Sequence, residues 1–243
     1  MITHTQAIIL RSIDYQESSK ILTVLSEEHG KIALMARGAK KPKSTLSGII
    51  EPGSVLDVVY YYKASRGVQT LTEASKQFST DIFRRDFERA AVLYATLELV
   101  AQLVHDNEVN EPVYAFSYQV IKWLAEADEI PGSVFAYVQL RLAELIGIGL
   151  YSMLEDYKNT VYLNVSSGNI SEQAEDELSY KLSEAQGIFV IMALHSKSRK
   201  VLGIKLENAE LKQLVHHLDV YFKYHIEGYR ERRSDSIFEQ MLL

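Results

Sequence analysis

Cysteine is missing from all 243 residues, which removes disulfides, thiolate nucleophiles, iron–sulfur clusters and every cysteine-based zinc finger at once. Seven histidines remain, but none stands at an H-E-x-x-H or comparable ligand spacing. His216 and His217 are adjacent and would point about 100° apart on a helix, so they share no face. No metal or cofactor is expected. Long apolar runs are missing too: IFVIMAL, residues 188–194, is far too short to span a bilayer. The opening MITHTQAIILRSID has no cationic n-region, sustained apolar stretch or small-residue cleavage site, so a cytoplasmic protein with no membrane partner is expected.

What is present is an ordinary globular composition, 47% hydrophobic and 24% charged, long enough for one large domain or two modest ones. The pattern changes along the chain. Residues 8–13, 20–26, 31–37, 55–63 and 68–74 are β-branched or aromatic runs, separated by turn signals at Glu28-His29-Gly30, Pro42, Pro52-Gly53 and Ser65-Arg66-Gly67. Five short strands suggest a small closed sheet, because an open one would leave bare edges. From Asp81 onward the period is helical: Phe87, Ala90, Tyr94, Leu97, Ala101 and Val104 form one stripe, and Val113, Phe116, Val120, Ile121 and Leu124 a second. A third helix is expected over 133–146, stopping at Gly147 and Gly149. A fourth follows the S-x-x-Q capping box at Ser183, a fifth runs from about Asn208 to Gly228, and a short one follows Ser234. TVYLNVSSGNIS, residues 160–171, reads as a hairpin turning at Gly168-Asn169. The expected domains are 1–80 and 81–243, with the hairpin inserted in the second.

Charge divides at the same boundary. Residues 1–80 hold ten Lys and Arg against seven Asp and Glu, a net of +3, and the remainder hold 16 against 25, a net of −9. The cations of the first part gather in RGAKKPK, residues 37–43. On the preceding strand, alternation puts Ile32, Leu34 and Ala36 inward, leaving Lys31 and Arg37 on the outer face roughly 20 Å apart. Lys40, Lys41 and Lys43 would continue this track, and Arg66 in the next turn would extend it, matching a nucleic-acid backbone better than a small ligand. A loop that is merely solvated is the alternative. A phosphate-binding P-loop is excluded, since the second Gly is missing and Pro42 stands where N–H donors are needed. Tyr60, Tyr61 and Tyr62 offer rings for base stacking, with core packing the alternative for at least two of them. Lys197, Arg199 and Lys200 form a smaller cluster after a helix.

The N-terminal stretch AIILRSIDYQESSKILTVLSEEHGKIALMARGAKKPKSTLSGIIEPG resembles the bacterial RecO family in its order of strand, Tyr-x-Glu turn, strand, Glu-x-Gly-Lys, strand, Ala-Arg-Gly-Ala with basic residues, and a short element before Pro. GVQTLTEAS resembles the family's fifth strand, LRLAELIGIG the helix before its zinc-finger segment, and SDSIFEQML its closing helix. The resemblance implies an α+β chain: an N-terminal five-stranded OB-fold β-barrel, then a mainly α-helical domain. It implies a DNA-binding mediator of repair and recombination that holds single- and double-stranded DNA, anneals strands coated by single-strand-binding protein, and acts with RecR to load RecA. It maps DNA contacts onto Lys31, Arg37, Lys40, Lys41 and Lys43, with Arg66 added. It also implies a helical seat for the acidic, apolar C-terminal tail of single-strand-binding protein, for which Arg141 and Lys212 are the candidate rim. One departure stands out: where many family members carry four cysteines, this chain reads YSMLEDYKNTVYLNVSSGNISEQA, so zinc is not carried over, and Val161, Leu163, Val165 and Ile170 are expected to pack in its place. Two other functions compete. A protein-only adaptor would tolerate loss of the loop lysines, and an enzyme would need a catalytic constellation that the sequence does not display.

Overall fold

The computed structural model describes residues 1–154, 160–196 and 198–234. Five strands, β1 (Ile2–Tyr15), β2 (Ser19–Ser26), β3 (Gly30–Ala36), β4 (Val55–Tyr61) and β5 (Val68–Lys76), close into a barrel of order β1-β2-β3-β5-β4. Closure depends on the length of β1. Its residues 2–8 pair with β4 and residues 7–15 with β2, and a bulge between Ile9 and Arg11 turns the strand from one neighbour to the other. β3 and β5 pair in parallel and complete the ring, which leaves no exposed edge. The interior holds Ala7, Ile9, Leu22, Val24, Ile32, Leu34, Leu56, Val58, Tyr60 and Leu71, the inward set that alternation demands.

Two helices pack with the barrel in one compact unit, Met1–Ala127. They are α1 (Phe87–Leu103), capped by Asp86, and α2 (Glu111–Glu126), capped by Asn110. Buried Arg89 ties them together, donating from Nη1 to the Leu124 carbonyl at 2.7 Å and from Nε to Asp86 at 2.8 Å. Ile8, Leu25 and Val55 are fully or almost fully buried outside the barrel interior, because α1 covers the outer surface there. Gly30 lies against the α1–α2 connection: its φ is +64°, and a Cβ would lie 1.9 Å from the Glu108 carbonyl oxygen. The composition changes at residue 80, whereas packing within this unit continues to 127.

The stripe expected to face inward on α1 is partly inverted. Phe87 and Tyr94 are exposed, while Ala91, Val92, Leu93, Ala95, Leu97, Leu99 and Val100 are buried. With the barrel on one side and α2 on another, most of the helix surface is covered, so a single-face reading fails.

The second unit, Asp128–Leu243, contains α3 (Val134–Leu145), α4 (Glu184–His195) and α5 (Asn208–His225), with a four-stranded sheet between α3 and α4. The Ser183–Gln186 capping box is formed. The expected hairpin is the sheet's centre, β7 (Tyr162–Asn164) and β8 (Asn169–Ser171), flanked by β6 (Tyr151–Ser152) and β9 (Ser179–Lys181) in the order β6-β8-β7-β9. Gly168 takes φ +72° at the turn, and Asn169 already belongs to β8. The flanking strands are too short to show a period in sequence. The helix expected after Ser234 lies outside the described residues. Among the described residues no helix is long and apolar enough to cross a membrane.

Candidate nucleic-acid interface

The connection from β3 to β4 is a chain of tight turns anchored at both ends. Ala39 and Ile50 are buried in the barrel core, with Leu46 and Ile49 packed against it, so the apolar residues of the loop close that end of the barrel. Lys41 N donates to the Gly38 carbonyl at 3.0 Å, Ser44 N to Lys41 at 2.9 Å and Ser47 N to Ser44 at 3.2 Å. Lys40 N reaches the Ser18 carbonyl in the β1–β2 turn at 2.9 Å. The loop is thereby pre-formed, which lowers the entropy lost when a ligand binds.

Its cations fall into two groups. Lys40 pairs with Asp14 at 2.8 Å, and that hydrogen bond holds the Asp14 carboxyl below the usual carboxylate range. Neighbouring Lys20 lies 3.9 Å from Glu51. Arg37, Lys41 and Lys43 are exposed, and their side chains have no partner among the described residues. Arg66 is likewise exposed in the β4–β5 loop. That loop is fixed by buried Gln69, whose side chain accepts from Lys63 N at 2.9 Å and donates to the carbonyls of Lys63 at 3.1 Å and Arg66 at 2.8 Å.

Lys31 behaves differently. Its Nζ donates to the Ala101 carbonyl in the last turn of α1 at 2.9 Å and pairs with Asp106 at 3.1 Å, with 17% of the side chain exposed. The ammonium caps a helix C-terminus, where carbonyls lack intrahelical donors. It is committed within the unit, and the track expected along the whole outer face of β3 shortens to its Arg37 end. Lys31→Met is expected to lower stability by about 1 kcal/mol in urea unfolding and to leave oligonucleotide affinity within about twofold, as one phosphate contact fewer would not.

Between the two loops lies a surface that a strand-by-strand reading misses. Cross-strand register sets Tyr61 beside Thr70, Thr70 beside Met35, Met35 beside Ile21 and Ile21 beside Ile13. Exposure is 49% at Tyr61, 41% at Ile13, 40% at Tyr15 and 38% at Val68. The row spans roughly 20 Å around the barrel at one strand spacing per step. Tyr15 is exposed at the end of β1, one residue from Asp14, the partner of Lys40. Of the three consecutive tyrosines only Tyr61 projects outward. Tyr60 is buried with its hydroxyl 2.7 Å from His29 Nδ1 and 3.4 Å from Ser26 Oγ, and Tyr62 stacks on His29 at 3.7 Å. The alternation Arg11-Ile13-Tyr15 was visible in sequence, but which face it occupied depended on barrel closure. The β1, β4 and β5 side is acidic instead: Glu27, Glu28, Asp57 and Glu73 line an open cavity of about 700 Å³ with His4.

In the second unit Arg141 is buried and paired with Glu144 one turn along α3, so its guanidinium is spent locally. Lys212 is exposed on α5 and engages a neighbour. Lys197 lies outside the described residues, and Arg199 opens a short 3-10 segment, Arg199–Gly203, capped by Ser198. Exposed apolar rings beside cations occur instead on α1, where Phe87 and Tyr94 follow exposed Arg84 and Arg85. Among the described residues no three His, Asp or Glu side chains gather as a metal site.

His217 is a stability element. It is buried, stacked on Tyr180 at 4.1 Å, and its Nδ1 has no partner. Burial, with His216 beside it, pushes the imidazole down to about 4. An unfolded histidine titrates near 6.5, so the unfolded chain takes up the proton first. Stability is full above about pH 6.5 and falls progressively toward pH 4, by on the order of 3 kcal/mol from this group. His217→Phe is expected to flatten the urea midpoint between pH 6.5 and 4.5 relative to wild type.

Comparison with known proteins identifies a family. The family model described as Recombination protein O N terminal matches residues 1–78, and Recombination protein O C terminal matches residues 84–234. The chain is 28% identical over 260 residues to the DNA repair protein RecO of Pelodictyon phaeoclathratiforme, with all of both chains covered. It is 35% identical over 147 residues to the DNA repair protein RecO of Salinibacter ruber, covering 60% of this chain and 56% of that one. For the same-named protein of an Exiguobacterium species the figures are 34% over 175 residues, 69% and 68%.

Proposed function

The chain belongs to the RecO family of DNA repair proteins, and from that premise we propose that it is a non-enzymatic mediator that captures DNA on its barrel and brings strands and partner proteins together. The observation that carries this reading is the set of unpaired cations Arg37, Lys41 and Lys43, held on an anchored loop beside an exposed aromatic face. Phosphates follow the loop, with Arg66 at the far side of the face and Lys40 contributing through its partly exposed ammonium. Unpaired bases lie against Tyr61 and Tyr15, each stack worth ~1–3 kcal/mol. The face of β2 and β3 between the β1–β2 and β4–β5 loops is where OB-folds take oligonucleotides. The acidic β4–β5 side repels phosphate and so orients the strand.

Annealing follows from this mode of holding. Phosphate contacts carry no sequence information, and they screen the repulsion between two strands while leaving base edges accessible. Duplex DNA engages the loop but not the rings. In this reading residues 1–80 bind DNA and residues 81–243 meet RecR and the acidic tail of single-strand-binding protein, with RecA engaged indirectly. Phe87 and Tyr94 beside Arg84 and Arg85 match an acidic, apolar tail better than Arg141, whose guanidinium is buried. The acidic groove favours a second reading, the protein-only adaptor, which predicts no effect on DNA.

The test is the annealing of two complementary labelled oligonucleotides followed by energy transfer. At low salt the full chain is expected to speed annealing at least tenfold, with the gain lost as salt rises. No acceleration at any salt would leave the adaptor reading in its place.

A further inference from the structure

Family resemblance brings with it the question of zinc between α3 and α4, and the residues present there do not fit a metal. Structural zinc takes four thiolate or imidazole ligands in a tetrahedron. The centre of this sheet is a carboxamide. Asn164, completely buried at the end of β7, donates from Nδ2 to Asn169 Oδ1 at 2.8 Å, Ser171 Oγ at 2.9 Å and the Gln173 carbonyl at 3.1 Å. Its Oδ1 accepts from Glu175 N at 3.2 Å. Asn169 donates in turn to Ser167 Oγ at 3.1 Å and Glu175 Oε1 at 2.7 Å. The amide presents hydrogen-bond donors toward the middle of the cluster, the opposite of what a cation requires.

We propose that Asn164 performs in this chain the closing role that a metal performs in cysteine-bearing relatives, so that the β6–β9 sheet folds and stays folded without metal and is indifferent to chelators and thiol oxidants. Three observations carry the inference together. The segment from Gln173 to Leu178 belongs to no strand, and it is clamped through side chains at both ends: Gln173 and Glu175 bond to Asn164, while Oγ of Ser179, the first residue of β9, accepts from the backbone N–H groups of Glu175 at 3.0 Å and Asp176 at 3.1 Å. Asp176 adds a bond from Leu178 N at 2.7 Å and one from Ser166. Beneath this polar cluster Val161, Leu163, Val165 and Ile170 are all buried, so the sheet rests on an apolar floor. A buried amide whose every bonding group is matched is costly to remove, because its partners are then left unsatisfied.

The experiment measures metal content, melting and local hydrogen exchange on the full chain. Wild type is expected to carry well under one zinc per ten chains by elemental analysis and to melt at the same temperature with and without EDTA. Asn164→Ala is expected to lower the melting midpoint by about 5–10 °C and to speed exchange at the Glu175 amide by at least tenfold, with peptides of the barrel unchanged. Should Asn164→Ala not be recovered folded, Ser171→Ala supplies the same two readouts at smaller amplitude. Near-stoichiometric zinc whose removal lowers the midpoint would overturn the proposal. So would an Asn164→Ala or Ser171→Ala chain that keeps both its midpoint and its protection at Glu175.

Discussion

Replacing Arg37, Lys41 and Lys43 together by Glu is expected to weaken single-stranded DNA binding by roughly a hundredfold near 0.1 M salt, with unfolding unchanged within about 0.5 kcal/mol. The two parts of this expectation have separate causes. Each cation that neutralises a phosphate on a single strand contributes about 0.7 to the slope of log affinity against log salt. Removing three such contacts therefore flattens the slope by about 2, and the new carboxylates add repulsion. Stability is spared because these three side chains have no partner among the described residues, while the loop is held by Ala39, Ile50 and backbone bonds that the substitutions leave in place. Lys40 is excluded from the set for a physical reason. A carboxylate there would face Asp14, now 2.8 Å from the ammonium, and lost binding would be confounded with loop distortion. Anisotropy of a labelled oligonucleotide across a salt series measures both the affinity and the slope.

The second large effect concerns stability. Asp219→Ala is expected to cost about 3–5 kcal/mol in urea unfolding. Arg232 has 1% of its side chain exposed, donates from Nη1 and Nη2 to the two Asp219 oxygens, the latter at 2.6 Å, and lies over the Phe135 ring at 4.8 Å. Tyr229 receives a bond from Nη1 at 2.8 Å, and Gln139 donates to Asp219 at 2.8 Å. Removing the carboxylate takes the Asp219 counter-charge from a buried guanidinium and leaves the Gln139 amide only the longer bond to the Val215 carbonyl at 3.4 Å. Arg232→Met is expected to cost less, about 1–2 kcal/mol, because it removes the buried charge, keeps much of the volume and leaves Asp219 able to reach water. A double-mutant cycle over the two positions gives the coupling directly.

Local features of the molecule were legible in sequence, and features made by distant residues were not. The five barrel strands follow from β-branched and aromatic runs between turn signals and the first two helices from a period of three to four, while the Ser183 capping box marks its helix start to the residue. The unpaired loop cations were legible because nothing distant acts on them. Lys31 was not: its role is set by a carbonyl seventy positions away, at Ala101, which no local pattern announces. Arg141 reads as a surface cation on a helix, yet it is buried because α3 is covered on most sides. Phe87 and Tyr94 reverse the same error, since a helix packed between a barrel and another helix leaves only a narrow side to solvent. The mostly apolar row from Ile13 to Tyr61 exists only once all five strands are in register, so composition could name its residues but not assemble them. Asp219 and Arg232 illustrate the same limit: each is an ordinary charge in sequence, and only folding buries the guanidinium against the half-buried carboxylate.

The central claim is that DNA lies on the β2–β3 face and the loop after β3. Hydrogen–deuterium exchange of the full chain, with and without a saturating thymidine oligonucleotide at low salt, tests it most directly. The account predicts slowed exchange in peptides covering residues 13–23 and 33–47 and the β4–β5 loop, with residues 128–234 unchanged. Protection confined to residues 128–234, with the barrel and its basic loop exchanging as in the free protein, would contradict it.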